Sequence, residues 1–94
     1  MPYKLKFLPT ALKEWKKLDG SIRNPLKKKL ESVLHSPEIS ANRLRNFEHH
    51  YKVKLRSSGY RLVYEVISDE VVVLVIAIGK REGNRIYEIA KQRS

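Results

Sequence analysis

The stretch YKVKLRSSGYRL, residues 51–62, decides the fold because it predicts a β-hairpin. Apolar and charged side chains alternate before and after Ser58-Gly59, as they do in strands with one buried face. A glycine supplies the positive φ of a tight turn, so we predict a two-residue loop at Ser58-Gly59. The facing pairs are then Lys52 with Glu65, Lys54 with Val63, and Arg56 with Arg61.

This register gives the hairpin one apolar face and one cationic face. A three-residue loop would bring Arg61 to the apolar face beside Leu55, which makes that loop the poorer alternative. The cationic face then holds Lys52, Lys54, Arg56 and Arg61. Like charges that face each other destabilise a sheet, so four clustered cations favour an anion-binding site. The alternative is an ordinary solvated face, which would suit any one of these residues taken alone.

The segments on either side of the hairpin predict an α+β fold. They are, in order, a strand at 3–8, a helix at 11–18 capped by Thr10, a helix that begins at Asn24-Pro25 or Ser21 and ends at Ser36, the hairpin, a strand at 71–78, and a helix at 84–93 capped by Asn84. The apolar run VVVLVIAI, 71–78, indicates a central strand covered on both faces. We predict one small domain over residues 1–94, with an antiparallel sheet, two N-terminal helices on one face and a short C-terminal helix (β-α-α-β-β-β-α).

The charge of the chain restricts its partners. Twenty Lys and Arg stand against ten Asp and Glu, and this net charge of +10 favours nucleic acid, an acidic protein or an anionic membrane surface. The chain has no cysteine, which excludes disulfides and thiolate metal sites. Its longest apolar run is far shorter than the roughly 20 residues of a membrane span, and its first ten residues lack a signal-peptide core. We therefore expect a cytoplasmic protein without a membrane partner.

Other catalytic motifs are missing from the sequence. There is no phosphate-binding glycine loop, no Ser-His-Asp arrangement and no His or Cys spacing for a metal ion. His49-His50 is a candidate acid–base pair, but a pair without a catalytic role is the preferred interpretation. Arg81, after the central strand, and Tyr87, in the last helix, extend the cationic cluster in principle, although sequence alone does not bring them beside the hairpin lysines.

Five segments together resemble the RelE family of bacterial toxins from type II toxin–antitoxin modules. They are ALKEWKKL, LKKKLESVL, NRLR, YKVKLRSSGYRLVYEV and VVVLVIAIGKRE, in one register over nearly the whole chain. The resemblance implies a RelE-like fold and a ribosome-dependent endoribonuclease, which cuts messenger RNA in the ribosomal A site and stops translation. It also implies a RelB-like antitoxin that neutralises the toxin, reads operator DNA and represses the shared operon together with it.

The resemblance also carries site residues onto this chain. The catalytic positions fall on Lys52, Lys54, Arg61, Arg81 and Tyr87. RNA binding is assigned to Arg45 by the resemblance and to Arg56 from the cationic hairpin face. No metal and no cofactor is expected.

The expected reaction is attack of an RNA 2′-OH on the adjacent phosphate, which needs a base, charge stabilisation and an acid. The roles implied are Lys52 as proton acceptor, Lys54 and Arg61 on the phosphate, and Arg81 at the leaving group. Tyr87 would stack on a nucleobase or orient it. Three alternatives stay open: an RNA- or ribosome-binding protein without catalysis, a nuclease that cuts free RNA, and a DNA-binding repressor that acts alone.

Overall fold

The described part of the chain forms four strands and three helices in the predicted order. The computed structural model describes residues 2–45, 47–56, 58–80 and 85–93. The elements are β1 (Lys4–Phe7), α1 (Pro9–Lys17), α2 (Gly20–His35), β2 (His50–Leu55), β3 (Tyr60–Ile67), β4 (Val72–Lys80) and α3 (Arg85–Arg93). Short 3₁₀ turns lie at Ser40–Asn42 and Ser68–Glu70. The predicted α+β class and the order β-α-α-β-β-β-α are confirmed.

The strands form one sheet in the order β1-β4-β3-β2. The three consecutive strands β2, β3 and β4 are antiparallel, as predicted. β1 is the exception, because it runs parallel to β4 with Phe7 opposite Val75. These two strands are distant in the chain, so no hairpin constrains them to be antiparallel. β4 lies between β1 and β3 and is buried on both faces over most of its length, as its continuous apolar sequence predicts.

Two apolar cores lie on the two faces of this sheet. The first core joins α1 and α2 to the strand residues that face them, and it includes Ala11, Leu26, Leu30, Leu62, Tyr64 and Val75. The second core joins α3 to residues of the opposite face, namely Leu44, Val63, Ile76, Ala77, Ile86 and Ala90. The two N-terminal helices therefore share one face, as predicted, and the short C-terminal helix covers the other.

The hairpin register differs from the predicted one by two residues. β2 ends at Leu55, and four residues instead of two separate it from β3. Gly59 has a φ of 77°, and its N–H donates to the Leu55 carbonyl at 2.9 Å, which closes the wider loop. Side chains alternate with a period of two, so a shift by two leaves each strand residue on its predicted face. The predicted pairing of Arg56 with Arg61 is wrong, because Arg56 lies in the loop and Lys54 is opposite Arg61.

α1 begins two residues before its predicted start. Pro9 occupies the first helical position, where its missing N–H needs no acceptor, so Thr10 lies inside the helix and is not its cap. The predicted cap of α3, Asn84, lies outside the described residues. Among the helices of the described residues, none is both long enough and apolar enough to cross a membrane.

α2 also begins earlier than either predicted start, at Gly20 instead of Asn24-Pro25 or Ser21. Asp19 is its cap, and the carboxylate accepts the N–H of Ser21 at 3.3 Å as well as the Ser21 hydroxyl. These hydrogen bonds lower the pKa of the Asp19 carboxyl below its ordinary value. The Asp19 carboxylate accepts a backbone N–H that would lie in a loop if the helix began at Asn24-Pro25. The helix therefore extends back to Asp19.

Candidate active site

Three of the predicted cations lie together on the sheet face that carries α3. Lys54 is opposite Arg61, and Lys52 is opposite Val63, whose side chain belongs to the second core. Cross-strand partners point to the same face, so Lys52, Lys54 and Arg61 surround the edge of that core. Arg61 is in turn opposite Gly79 of β4. We call this observed group of Lys52, Lys54 and Arg61, which lacks the predicted member Arg56, the cationic face.

Arg61 is buried, and none of the described residues gives it an acidic partner. Its side chain belongs to a residue that is 8% exposed, and Nη1 donates to the Tyr60 carbonyl at 3.1 Å. Within the described residues no carboxylate forms an ion pair with it. Taking a guanidinium out of water without a counter-charge costs free energy. The described part of the fold therefore holds a buried cation that a bound anion would neutralise.

The surroundings of Lys54 lower the pKa of its ammonium group below the ordinary value. The positive charge of Lys52 is the largest influence that lowers the pKa of the Lys54 ammonium group. Desolvation, direct interaction with the Lys52 side chain and the charge of Arg61 lower this pKa further. Tyr87 acts in the opposite direction, which places its side chain close to Lys54. A lysine of this kind can serve as a proton acceptor nearer to neutral pH than an isolated one.

α3 brings Tyr87 to the cationic face. The helix packs on β4 through Ile86, whose Cδ1 would lie only 3.1 Å from a Cβ at Gly79. The absence of a side chain at Gly79 therefore allows the close approach of α3 to the strand. Tyr87 is half-buried against the second core, next in the chain to Ile86. The structure thus unites Lys52, Lys54, Arg61 and Tyr87, whereas Arg81 lies outside the described residues.

The predicted RNA-binding residues Arg56 and Arg45 are not members of the cationic face, although Arg56 lines a cavity together with Lys54. Arg56 is exposed and lines a cavity with Lys29 and Asn42, on the side of the hairpin that faces α2. Arg45 is exposed in the segment between the Ser40–Asn42 turn and β2. In the lysine run of α2, the Lys29 ammonium group donates to the Lys54 carbonyl at 2.6 Å. Lys29 therefore fixes the outer edge of β2 at the site, and no sequence pattern distinguishes it from its neighbours.

His50 is placed as a structural residue. It is 5% exposed, its Nδ1 is hydrogen-bonded to the Glu48 carbonyl, and its Nε2 is buried without a partner among the described residues. Its ring lies 5.2 Å from that of Phe47, centroid to centroid. Its neighbour His49 is exposed and has a φ of 59°, which is unusual for a residue with a side chain. The His50 imidazole therefore presents no accessible nitrogen, which favours the interpretation of this residue without a catalytic role.

The cluster as a whole is a cationic site flanked by an aromatic ring. The described residues contain no group of three or more His, Cys, Asp or Glu that could hold a metal ion. Guanidinium and ammonium groups can stabilise a phosphate on which negative charge develops, and a tyrosine can stack on a nucleobase. The arrangement is therefore suited to RNA.

Comparison with known proteins agrees with this interpretation. A model of the family described as ParE toxin of type II toxin-antitoxin system, parDE, matches residues 5–85. The chain is 57% identical over 93 residues to the mRNA interferase toxin RelE of Escherichia coli strain K12. The aligned region covers 99% of this chain and 98% of that protein.

Solved structures show the same likeness in three dimensions. The free E. coli toxin RelE, as a mutant with two arginines changed to alanine, matches with a TM-score of 0.91 and 56% identity, over 99% of this chain and 98% of that one. A chain of the intact E. coli RelBE toxin–antitoxin complex matches with a TM-score of 0.84 and 59% identity, over 86% and 99% of the two chains. With a family model that spans most of its length and a relative of this identity over nearly all of it, the chain belongs to the ParE family of type II toxin–antitoxin toxins and, within that family, to the RelE toxins.

Proposed function

We propose that this chain is the toxin of a type II toxin–antitoxin module and an endoribonuclease that cuts messenger RNA in the ribosomal A site. The observation that carries the proposal is the buried guanidinium of Arg61, which has no carboxylate partner among the described residues and lies opposite Lys54. A desolvated cation stabilises a phosphate whose negative charge grows during reaction more strongly than an exposed one. The mRNA interferase activity in the name of the E. coli relative supports this assignment.

The reaction needs a proton acceptor, a binding group for the phosphate and a proton donor. The 2′-oxygen attacks phosphorus as its proton passes to a base, and the 5′-oxygen leaves as it receives a proton. The resemblance assigns the base to Lys52, but the lowered pKa of Lys54 favours Lys54 for this step, with Lys52 as the charge that lowers it. Arg61 binds the phosphate, and Tyr87 stacks on a nucleobase. Arg81 keeps the place at the leaving group that the resemblance implies.

The partners follow from the same site. Cations hold a phosphate but do not align a flexible strand for in-line attack, so we assign alignment of the messenger RNA to the ribosome. The RelBE toxin–antitoxin complex of E. coli supports a RelB-like antitoxin that neutralises the chain. The contact with operator DNA is assigned to this antitoxin by the resemblance. The toxin domain spans residues 1–94 and acts where ribosomes are, in the cytoplasm.

The test is cleavage of messenger RNA on purified ribosomes. Parent protein is added to ribosomes programmed with a defined message, and new RNA 5′ ends are mapped by primer extension. Arg61→Ala should lower the single-turnover rate by about 10²-fold or more, because one preorganised charge is removed from the reacting phosphate. Arg23→Ala, on α2, is the matched control and should cleave like the parent.

The outcomes separate the alternatives. New 5′ ends at the A-site codon that depend on ribosomes support the proposal. Binding to ribosomes without new ends would instead identify an RNA-binding protein without catalysis. Equal cleavage of free and ribosome-bound message would identify a nuclease that does not use the ribosome.

A further inference from the structure

We infer that Phe47, with Arg45 beside it, forms a second nucleotide subsite at the end of the cationic face that lies away from Tyr87. The ring would stack on a base of the RNA substrate, and the guanidinium group would bind its backbone. This inference rests on the proposed function, because the ligand is the same RNA strand that the cationic face holds.

The position of Phe47 places it in line with the cations. Its ring contacts His50, the first residue of β2, whereas Tyr87 lies close to Lys54, four residues further along that strand. A strand rises about 3.3 Å per residue, so about 13 Å separates the two ends of this row. Lys52 lies between them on the same face. Phe47 and Tyr87 both pack against the second core, so the two rings border one surface.

The Phe47 ring is held by a fixed support. His50 is buried beneath it, and the His50 Nδ1 is tied to the Glu48 carbonyl. The Leu44 N–H donates to the His50 carbonyl at 3.0 Å, which joins the preceding loop to β2. His49, between Glu48 and His50, has a positive φ. This strained backbone conformation persists only where the surroundings enforce it. A half-buried ring held in this way loses little freedom when a base stacks on it.

The cavity beside the ring has the charge that an RNA strand requires. Arg43, Leu44, Arg45 and Phe47 line it, and no acidic residue is among the described residues of its lining. Both arginines are exposed. A guanidinium group binds phosphate through two parallel hydrogen bonds and also stacks on bases, so it serves either part of a nucleotide. An apolar ring flanked by two such groups is the combination that single-stranded RNA sites use.

The test measures whether the ring recognises a base. The parent, Phe47→Leu and Phe47→Tyr are titrated against ribosomes programmed with messages that carry a 2′-deoxy nucleotide at the cleavage position, which blocks the reaction. In matched messages one nucleotide at a time, in or next to the A-site codon, is made abasic. Phe7→Leu is the control, since it makes the same change on the opposite face of the sheet, where Phe7 packs on Trp15.

We expect Phe47→Leu to weaken binding of the intact message by roughly 5- to 150-fold, the range for loss of one stacked base, and Phe47→Tyr to bind like the parent. One abasic message should weaken the parent by a similar factor and have no further effect on Phe47→Leu. A loss in Phe47→Leu that is the same for every message would overturn the inference, as would binding equal to that of the parent. Binding is measured apart from cleavage, so a parent that binds but never cuts refutes the proposed function and still decides the subsite.

Discussion

At the scale of single residues, the proposed reaction depends on which of the two lysines of β2 accepts the proton. Lys54 is flanked by Lys52 along the strand, by Arg61 across it and by Tyr87 from α3. The positive charges lower the pKa of Lys54, and Lys52 contributes most. Lys52 can therefore be important without accepting a proton itself. The assignment of the base to Lys52 and its assignment to Lys54 predict different pH dependences of the cleavage rate.

We expect Lys52→Ala to move the rise of the pH–rate profile to higher pH if Lys54 is the base. Removal of the Lys52 charge raises the pKa of Lys54 towards its ordinary value, so a smaller fraction is neutral at a given pH. Single-turnover cleavage between about pH 6 and about pH 9.5, on the rising side below the ordinary lysine pKa of about 10.4, measures the shift. If Lys52 is the base, this variant should instead lose the rise altogether. Lys13→Ala, an exposed change on α1, should leave the profile where the parent has it.

Arg61 offers a second test at this scale, because its roles in stability and in activity should have opposite signs. Arg61→Leu removes a buried charge that has no acidic partner in the described part of the chain, so the free energy of unfolding should be unchanged or increased. Cleavage should fall by about 10²-fold or more, since the phosphate loses its desolvated cation. Urea unfolding and single-turnover kinetics on the same samples provide both values. Activity that falls only in proportion to lost stability would assign Arg61 to the fold alone.

The cationic face could be predicted because strand parity depends only on alternation along the chain. Lys52, Lys54 and Arg61 share a face in the predicted register and in the observed one. The register itself could not be predicted. The predicted two-residue loop and the observed four-residue loop both suit a positive φ at Gly59, and both keep the apolar side chains on one face and the cations on the other. Burial of His50 also escaped prediction, because it depends on Phe47 and on a loop whose path is not a periodic pattern.

At the scale of elements, an ion pair completes the sheet where β1 stops. β1 ends at Phe7 opposite Val75, so β4 continues past its neighbour. Glu14 of α1 accepts the Ile78 N–H at 3.2 Å, and Arg93 of α3 donates to the Ile76 carbonyl at 3.0 Å. The two side chains also bind each other at 2.8 and 3.1 Å. This pair ties both helices to β4 and supplies the hydrogen bonds that a longer β1 would have made.

We expect Arg93→Leu to lower the free energy of unfolding by about 1–3 kcal/mol, the scale for hydrogen bonds to a charged group, because Glu14 and the Ile76 carbonyl both lose their donor. Arg61→Leu is the matched comparison: it removes a buried arginine that has no carboxylate partner among the described residues and should not destabilise. Denaturant unfolding measures the difference. Amide hydrogen exchange should also speed up in α3, the element that this arginine anchors. Equal stability of the two variants would contradict the view that the ion pair holds the helix.

Elements that follow from local sequence were predicted, whereas those that depend on distant residues were not. The apolar run of β4 indicates a central strand by itself, and the structure confirms that position. The parallel pairing of β1 depends on where α1 and α2 return the chain, which no local pattern contains. Glu14 and Arg93 are 79 residues apart, and in the sequence each is an ordinary charge on a helix. The start of α2 was misplaced because the Asn24-Pro25 signal lies inside a helix that Asp19 already caps.

At the scale of the whole molecule, the net charge of +10 acts mainly through its local distribution. The principal extents are 31 × 27 × 26 Å, whereas charges in physiological salt are screened over about 8 Å. Cations on opposite sides of the molecule therefore hardly interact. The field at the cationic face comes from Lys52, Lys54, Arg61 and their neighbours, and the rest of the charge assists encounter with RNA and costs stability through self-repulsion.

We expect salt to change ribosome binding and folding stability in opposite directions. Binding should weaken steeply, because contacts with phosphates release counterions, with a slope of about −0.7 per contact for single-stranded RNA on a double-logarithmic plot. Lys52→Ala should make that slope shallower by about one contact, whereas Phe7→Leu should leave it unchanged, since no charge is lost. The free energy of unfolding should rise with salt as the repulsion among twenty cations is screened. Titration and urea unfolding over the same salt series test both signs, and a stability that falls with added salt would mean that ion pairs such as Glu14–Arg93 outweigh the repulsion.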